Sequence, residues 1–129
     1  MLVPLTLTFV YISMHEGDAS RPYVPELRKL AAETPVYPGA QKIADKVILK
    51  DGEASLDTTY KSDSSFAEIE SFYRRELPLR GWTIPPGPSG RFFDSDVHSH
   101  HYRRGDYFIA VEQDGDSDRF GITFIWEAQ

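Results

Sequence analysis

Residues 94–106, "DSDVHSHHYRRGD", hold three histidines, three aspartates and two arginines in thirteen positions. Imidazole nitrogens and carboxylate oxygens are the donors a borderline divalent metal takes, so coordination is the first chemistry to weigh. On a strand, successive side chains face opposite ways, so His98 and His100 share a side with Asp96 while His101 points to the other. A His-x-His pair of this kind can chelate Zn²⁺ or Cu²⁺, with Asp96 as an oxygen ligand. A cupin-like site also uses a glutamate a few residues on, where this chain has Arg103, Arg104 and Gly105. The rival expectation is a polar strand ending in a turn at Gly105, with its histidines mostly solvated. That is the reading taken here, with His98, His100 and Asp96 held against it as the metal candidates.

Other spacings carry less chemistry. Asp114, Asp116 and Asp118 alternate as at the start of a calcium loop, but the required Gly and Glu are replaced by Arg119 and Ile125. Arg104-Gly105-Asp106 spells an adhesion tripeptide, and a glycine in a tight turn accounts for it equally well. No nucleophile elbow, phosphate loop or helical HExxH occurs. His15 falls in a polar stretch where nothing would hold a general base still. No catalytic or cofactor-binding residue is therefore assigned and no cofactor is expected. An enzyme remains an alternative only if its residues converge in the fold.

Bulk composition narrows the partners. The absence of cysteine removes disulfide scaffolds, thiolate metal sites, cysteine nucleophiles and a thioether lipid anchor. With 14 basic against 20 acidic residues the net charge is −6, which argues against a nucleic-acid partner. Arg74, Arg75 and Arg80 gather at the end of an expected helix, where they complement its dipole as a solvated face.

The elements that must position these side chains can be read in order. Residues 1–14, "MLVPLTLTFVYISM", carry no charge and are too short to span a bilayer alone. They read as the remnant of an export signal or anchor, a route to membrane tethering. The alternative is a β-strand, since Thr6, Thr8, Val10 and Ile12 alternate with Leu5, Leu7, Phe9 and Tyr11. Residues 15–24 read as a linker, so residues 1–20 are expected to be dispensable for folding and the domain to run from 25 to 129. Pro25 opens a short helix with Leu27, Leu30 and Ala31 on one face. Asp51-Gly52 joins two β-runs, 45–50 and 54–61, as a hairpin.

The main helix begins at Ser65, with Glu68 three residues on as a capping box. Phe66, Ile69, Phe72, Tyr73 and Leu77 form its apolar stripe, and Glu68, Glu70, Arg74 and Arg75 are assigned to the other sides. Pro78 ends the helix and Gly81 suits a left-handed exit before Trp82. After the loop 85–90 come three β-runs, the last with Phe120, Ile122, Phe124 and Trp126 on one face. Segregated strands with one dominant amphipathic helix predict an α+β fold, the helix packed on one face of an antiparallel sheet.

The stretches "VYPGAQKI" and "TTYKSDSSFAEIESFYRRELPLRGW" resemble a group of small uncharacterised bacterial modules, often exported or membrane-tethered. The resemblance rests on a YPGA-type turn (Tyr37, Pro38, Gly39, Ala40) and an FY-x-x-x-L-x-x-x-GW helix end (Phe72, Tyr73, Leu77, Gly81, Trp82). It covers about residues 35–127 and implies a fold and an extracytoplasmic setting, but no catalytic residue. It lacks the lipid-attachment cysteine of tethered members. The expected function is thus a non-catalytic extracytoplasmic binding or protein-interaction module, its ligand unspecified. A metal-binding domain and an enzyme assembled only by the fold are the alternatives, as is a cytoplasmic location.

Overall fold

The structure, a computed structural model, describes residues 18–85, 99–113 and 118–128. Five strands form one antiparallel sheet: β1 (Gln41–Lys50), β2 (Glu53–Lys61), β3 (Ser99–Arg104), β4 (Tyr107–Gln113) and β5 (Arg119–Glu127), in spatial order β1-β2-β5-β4-β3. The expected hairpin is present, with Lys50 opposite Glu53 across Asp51-Gly52. Only Gly52 takes a positive φ there, of 76°. The pairing of β2 with β5 unites the hairpin with the C-terminal strands, in unbroken register from Glu53↔Glu127 to Lys61↔Arg119.

Register sorts the side chains into two faces. Val47, Leu56, Phe124, Ile109 and Tyr102 form one cross-strand row, and Asp45, Thr58, Ile122, Val111 and His100 form the next. This face carries the hydrophobic core, which α1 (Val24–Glu33) completes with Leu27 and Leu30, and α2 (Phe66–Glu76) with Ile69 and Tyr73. Both helices therefore cover the same face of the sheet. The chain is an α+β fold, as the segregated strand and helix patterns predict.

Local chemistry explains why α2 starts and stops where it does. Ser65 Oγ accepts from Glu68 N at 3.2 Å, and Glu68 Oε1 accepts from Ser65 N at 3.2 Å, the two reciprocal bonds of a capping box. Pro78 cannot continue the ladder, and a 3-10 turn over Pro78–Arg80 carries the chain to Gly81 at φ 89°. A Cβ at Gly81 would also lie 3.2 Å from Arg104 Cδ, so the left-handed conformation favours glycine and a larger residue would crowd the Arg104 side chain as well. Trp82 is then buried beneath this exit. Phe72, on the apolar stripe of α2, is only partly buried at the edge of the core.

One boundary differs from the sequence reading. Residues 18–23 are not a linker but a 3-10 helix that runs straight into α1. Ser20 is fully buried; its hydroxyl donates to Lys50 O at 2.6 Å and accepts from Glu53 N at 3.1 Å. Tyr23 stacks on Trp126 with ring centroids 3.6 Å apart. The ordered domain thus includes residues before 25, because one serine satisfies both backbone groups flanking the hairpin turn. Removing residues through 20 would take away both Ser20 bonds, which sets an anchor inside the stretch that the sequence reads as dispensable. Residues 1–17, with their alternative readings, lie outside the described residues.

Candidate functional site

His100 ends a core-facing row of the sheet, which brings it against α2. Its Nδ1 lies 3.7 Å from Glu70 Oε2, and its ring stacks at 6.1 Å on that of Phe66. His98 and Asp96, the other two metal candidates, lie outside the described residues. Among the described residues, no three His, Cys, Asp or Glu side chains converge in a metal-holding group. His100 and His101 are both half-buried, not mostly solvated as the alternating pattern suggests. His101 sits on the opposite face, and burial, reinforced by the charge of His100, holds its pKa below the usual histidine value.

Glu70 is the residue the sequence reading misplaced. Assigned to the solvent side, it is buried, its residue only 9% exposed. Helical spacing contains the signal: Glu70 is four residues after Phe66 and three before Tyr73, so it falls inside the stripe that faces the sheet. Its charge is matched locally. Arg74 Nε and Nη2 both reach Glu70 Oε2 at 2.8 Å, an i,i+4 pair at the helix–sheet boundary. The same guanidinium bonds the hydroxyl of fully buried Tyr102, whose pKa burial and then the Glu70 charge push up to about 12. A carboxylate donated to twice by a guanidinium is a poor general base and a poor metal ligand. The cluster's evident role is to fasten β3 to α2.

The turn and helix-end motifs that carry the family resemblance meet in space. Tyr37-Pro38-Gly39-Ala40 is a type II turn, with Ala40 N donating to Tyr37 O at 3.0 Å and Gly39 at φ 85°. Tyr37 N donates to the buried Tyr73 hydroxyl at 3.0 Å, and the Tyr37 hydroxyl donates to Ser64 Oγ at 3.1 Å. The Tyr37 ring meets Phe72 edge-on, at 83° and 5.4 Å.

Between this turn and the outer side of α2 lies an open cleft of about 490 Å³, bounded by Tyr37 and Pro38 and by Ala67, Ser71, Phe72 and Arg75. It is wide open to solvent, and the Tyr37 and Phe72 rings together with the Ser71 hydroxyl and the Arg75 guanidinium give it both apolar and polar character. Glu68 also borders it, with Oε1 already engaged in the capping box. Sequence inspection singled out Tyr37, Phe72 and Arg75 separately, but not as neighbours.

The adhesion tripeptide is accounted for as well. Gly105, at φ 63°, opens the tight turn between β3 and β4. Arg104 does not project from it: its guanidinium lies 4.7 Å from the Trp82 ring centroid and donates to Arg80 O at 2.6 Å. No protein-family model, curated protein or solved structure matches this chain.

Proposed function

We propose that this chain is a non-catalytic binding or protein-interaction module that works outside the cytoplasm and binds its partner in the cleft between the Tyr37 turn and α2. The observation that carries this reading is the cleft itself, where aromatic walls meet an arginine and a serine hydroxyl. Catalysis would need an acid–base or nucleophile–base pair there. The polar groups present are instead a guanidinium, a hydroxyl and a carboxylate committed to capping a helix. The setting outside the cytoplasm rests on the uncharged apolar run of residues 1–14 and on the bacterial resemblance. Among the described residues no helix is long and apolar enough to cross a membrane, so tethering would fall to the N-terminal segment.

The test is a ¹⁵N-correlation NMR screen with a fragment and short-peptide library. Binders are expected to shift the amides of Tyr37, Ser71, Phe72 and Arg75 together. Shifts concentrated elsewhere would move the site. A one-to-one zinc site of micromolar affinity, abolished by His98→Ala or His100→Ala, would put the metal-binding alternative first.

A further inference from the structure

The arginines around the end of α2 do not share one environment. Arg74 is paired with Glu70 and Arg80 with Glu76, each through an i,i+4 contact. Arg75 has no carboxylate partner among the described residues; its guanidinium lies 5.9 Å from the Phe72 ring centroid, within the cleft. A guanidinium resting on an aromatic face keeps its N–H fork free at the edge, and that fork matches a carboxylate in two-point geometry. An arginine without a carboxylate partner among the described residues, partly oriented by an aromatic ring in a cleft of mixed lining, is a receptor for an oxyanion borne on a partly apolar body.

The shape of the cleft selects among such ligands. It is open along one side, so it would leave much of a small molecule in water, whereas a chain that continues past it gains contacts beyond. The helix floor runs from Ala67 through Ser71 to Arg75, eight residue steps and thus about 12 Å. That length is spanned by about four residues of extended polyproline-type chain. Such a chain is recognised by aromatic grooves because its conformation costs little entropy to hold. Tyr37, Pro38 and Phe72 supply the apolar wall.

Resting on the binding-module reading above, we propose that the cleft takes an extended, proline-containing acidic peptide segment whose carboxylate pairs with Arg75. The net charge of −6 opposes an acidic ligand, but that repulsion is screened beyond about 8 Å at physiological salt. The Glu68 carboxylate borders the same cleft, but it lies seven residues, about 10 Å, back along α2, so the peptide carboxylate belongs at the Arg75 end.

Two peptides test this, acetyl-Pro-Pro-Pro-Glu-amide and its glutamine counterpart, titrated into the full chain and followed by NMR. The glutamate peptide should shift Tyr37, Ser71 and Arg75 and bind about tenfold more tightly than the glutamine one, a difference of about 1.4 kcal/mol. Arg75→Gln should remove that difference and Arg75→Lys should restore part of it, with the melting temperature unchanged because Arg75 is exposed. Equal binding of the two peptides, or an undiminished difference in Arg75→Gln, would overturn the role of Arg75 while leaving a binding cleft. Acetate competing as well as the peptide would reduce the site to a simple anion site. If neither peptide shifts the cleft at about 5 mM the peptide proposal fails, and only the absence of cleft shifts across the library would end the module reading as well.

Discussion

Tyr73 shows how one hydroxyl joins the two sequence motifs. Its ring is fully buried in the core, while its oxygen reaches out to accept the Tyr37 amide 36 residues away. Burial raises its pKa well above the usual tyrosine value, so it stays a neutral phenol throughout the accessible pH range. Tyr73→Phe keeps the ring and deletes the acceptor. The expected cost is about 1 kcal/mol by denaturant titration, with faster exchange of the Tyr37 amide, because that N–H loses its partner among the described residues. An unchanged midpoint and an equally protected amide would show that the turn is held by the Tyr37–Phe72 ring contact instead.

At the scale of elements, the anchoring of the first 3-10 segment matters most. Two backbone groups at the β1–β2 turn, Lys50 O and Glu53 N, are bonded by the Ser20 hydroxyl. Ser20→Ala removes both bonds and should cost about 1–3 kcal/mol, the net worth of two hydrogen bonds. Removal of residues 1–17 should leave the thermal transition close to that of the full chain. Removal of 1–23 should lower it clearly, since the Tyr23 stack on Trp126 is lost as well. If both truncations melt alike, the segment contributes nothing to the domain and the linker reading returns.

Across the whole molecule, two partly buried titrating groups set the pH response. Burial holds the folded pKa of His101 below the ordinary histidine value. The unfolded chain therefore takes up a proton that the native state resists, and stability should fall as pH drops from 7 through 6.5 and below. Asp57 has its pKa raised, chiefly by burial, so its charged form opposes folding at neutral pH and that penalty fades in acid. A melting-temperature series should show a mildly acidic decline that His101→Gln flattens. Parallel curves for the two proteins would mean that His101 titrates alike in both states.

What was legible in the sequence follows the range of the interactions. The capping box, the Gly81 exit and the Asp51-Gly52 turn each depend on residues a few positions apart, and each stands as the residue types dictate. The β2–β5 pairing, bonded across 64 residues at Thr58 Oγ1 to Ile122 O, and the reach of Ser20 to Lys50 leave no local trace. Glu70 was missed for another reason: its charge outweighed its place on the helix, although Arg74 one turn on makes that place tolerable. The candidate cleft was legible as residues and illegible as a site, because only the fold sets Tyr37 beside Phe72.

The Ser20 anchor also gives the domain a head and a foot. It fixes the incoming chain at the turn end of β1, whereas the Tyr37 turn lies just ahead of Gln41, where β1 begins. A ten-residue strand is about 30 Å long, so the two points are separated by nearly the full height of the sheet. Anything joined ahead of Asp18, be it a membrane segment, a fusion partner or an immobilising tag, is attached at the foot. The cleft lies at the head, the end of the sheet away from that attachment point.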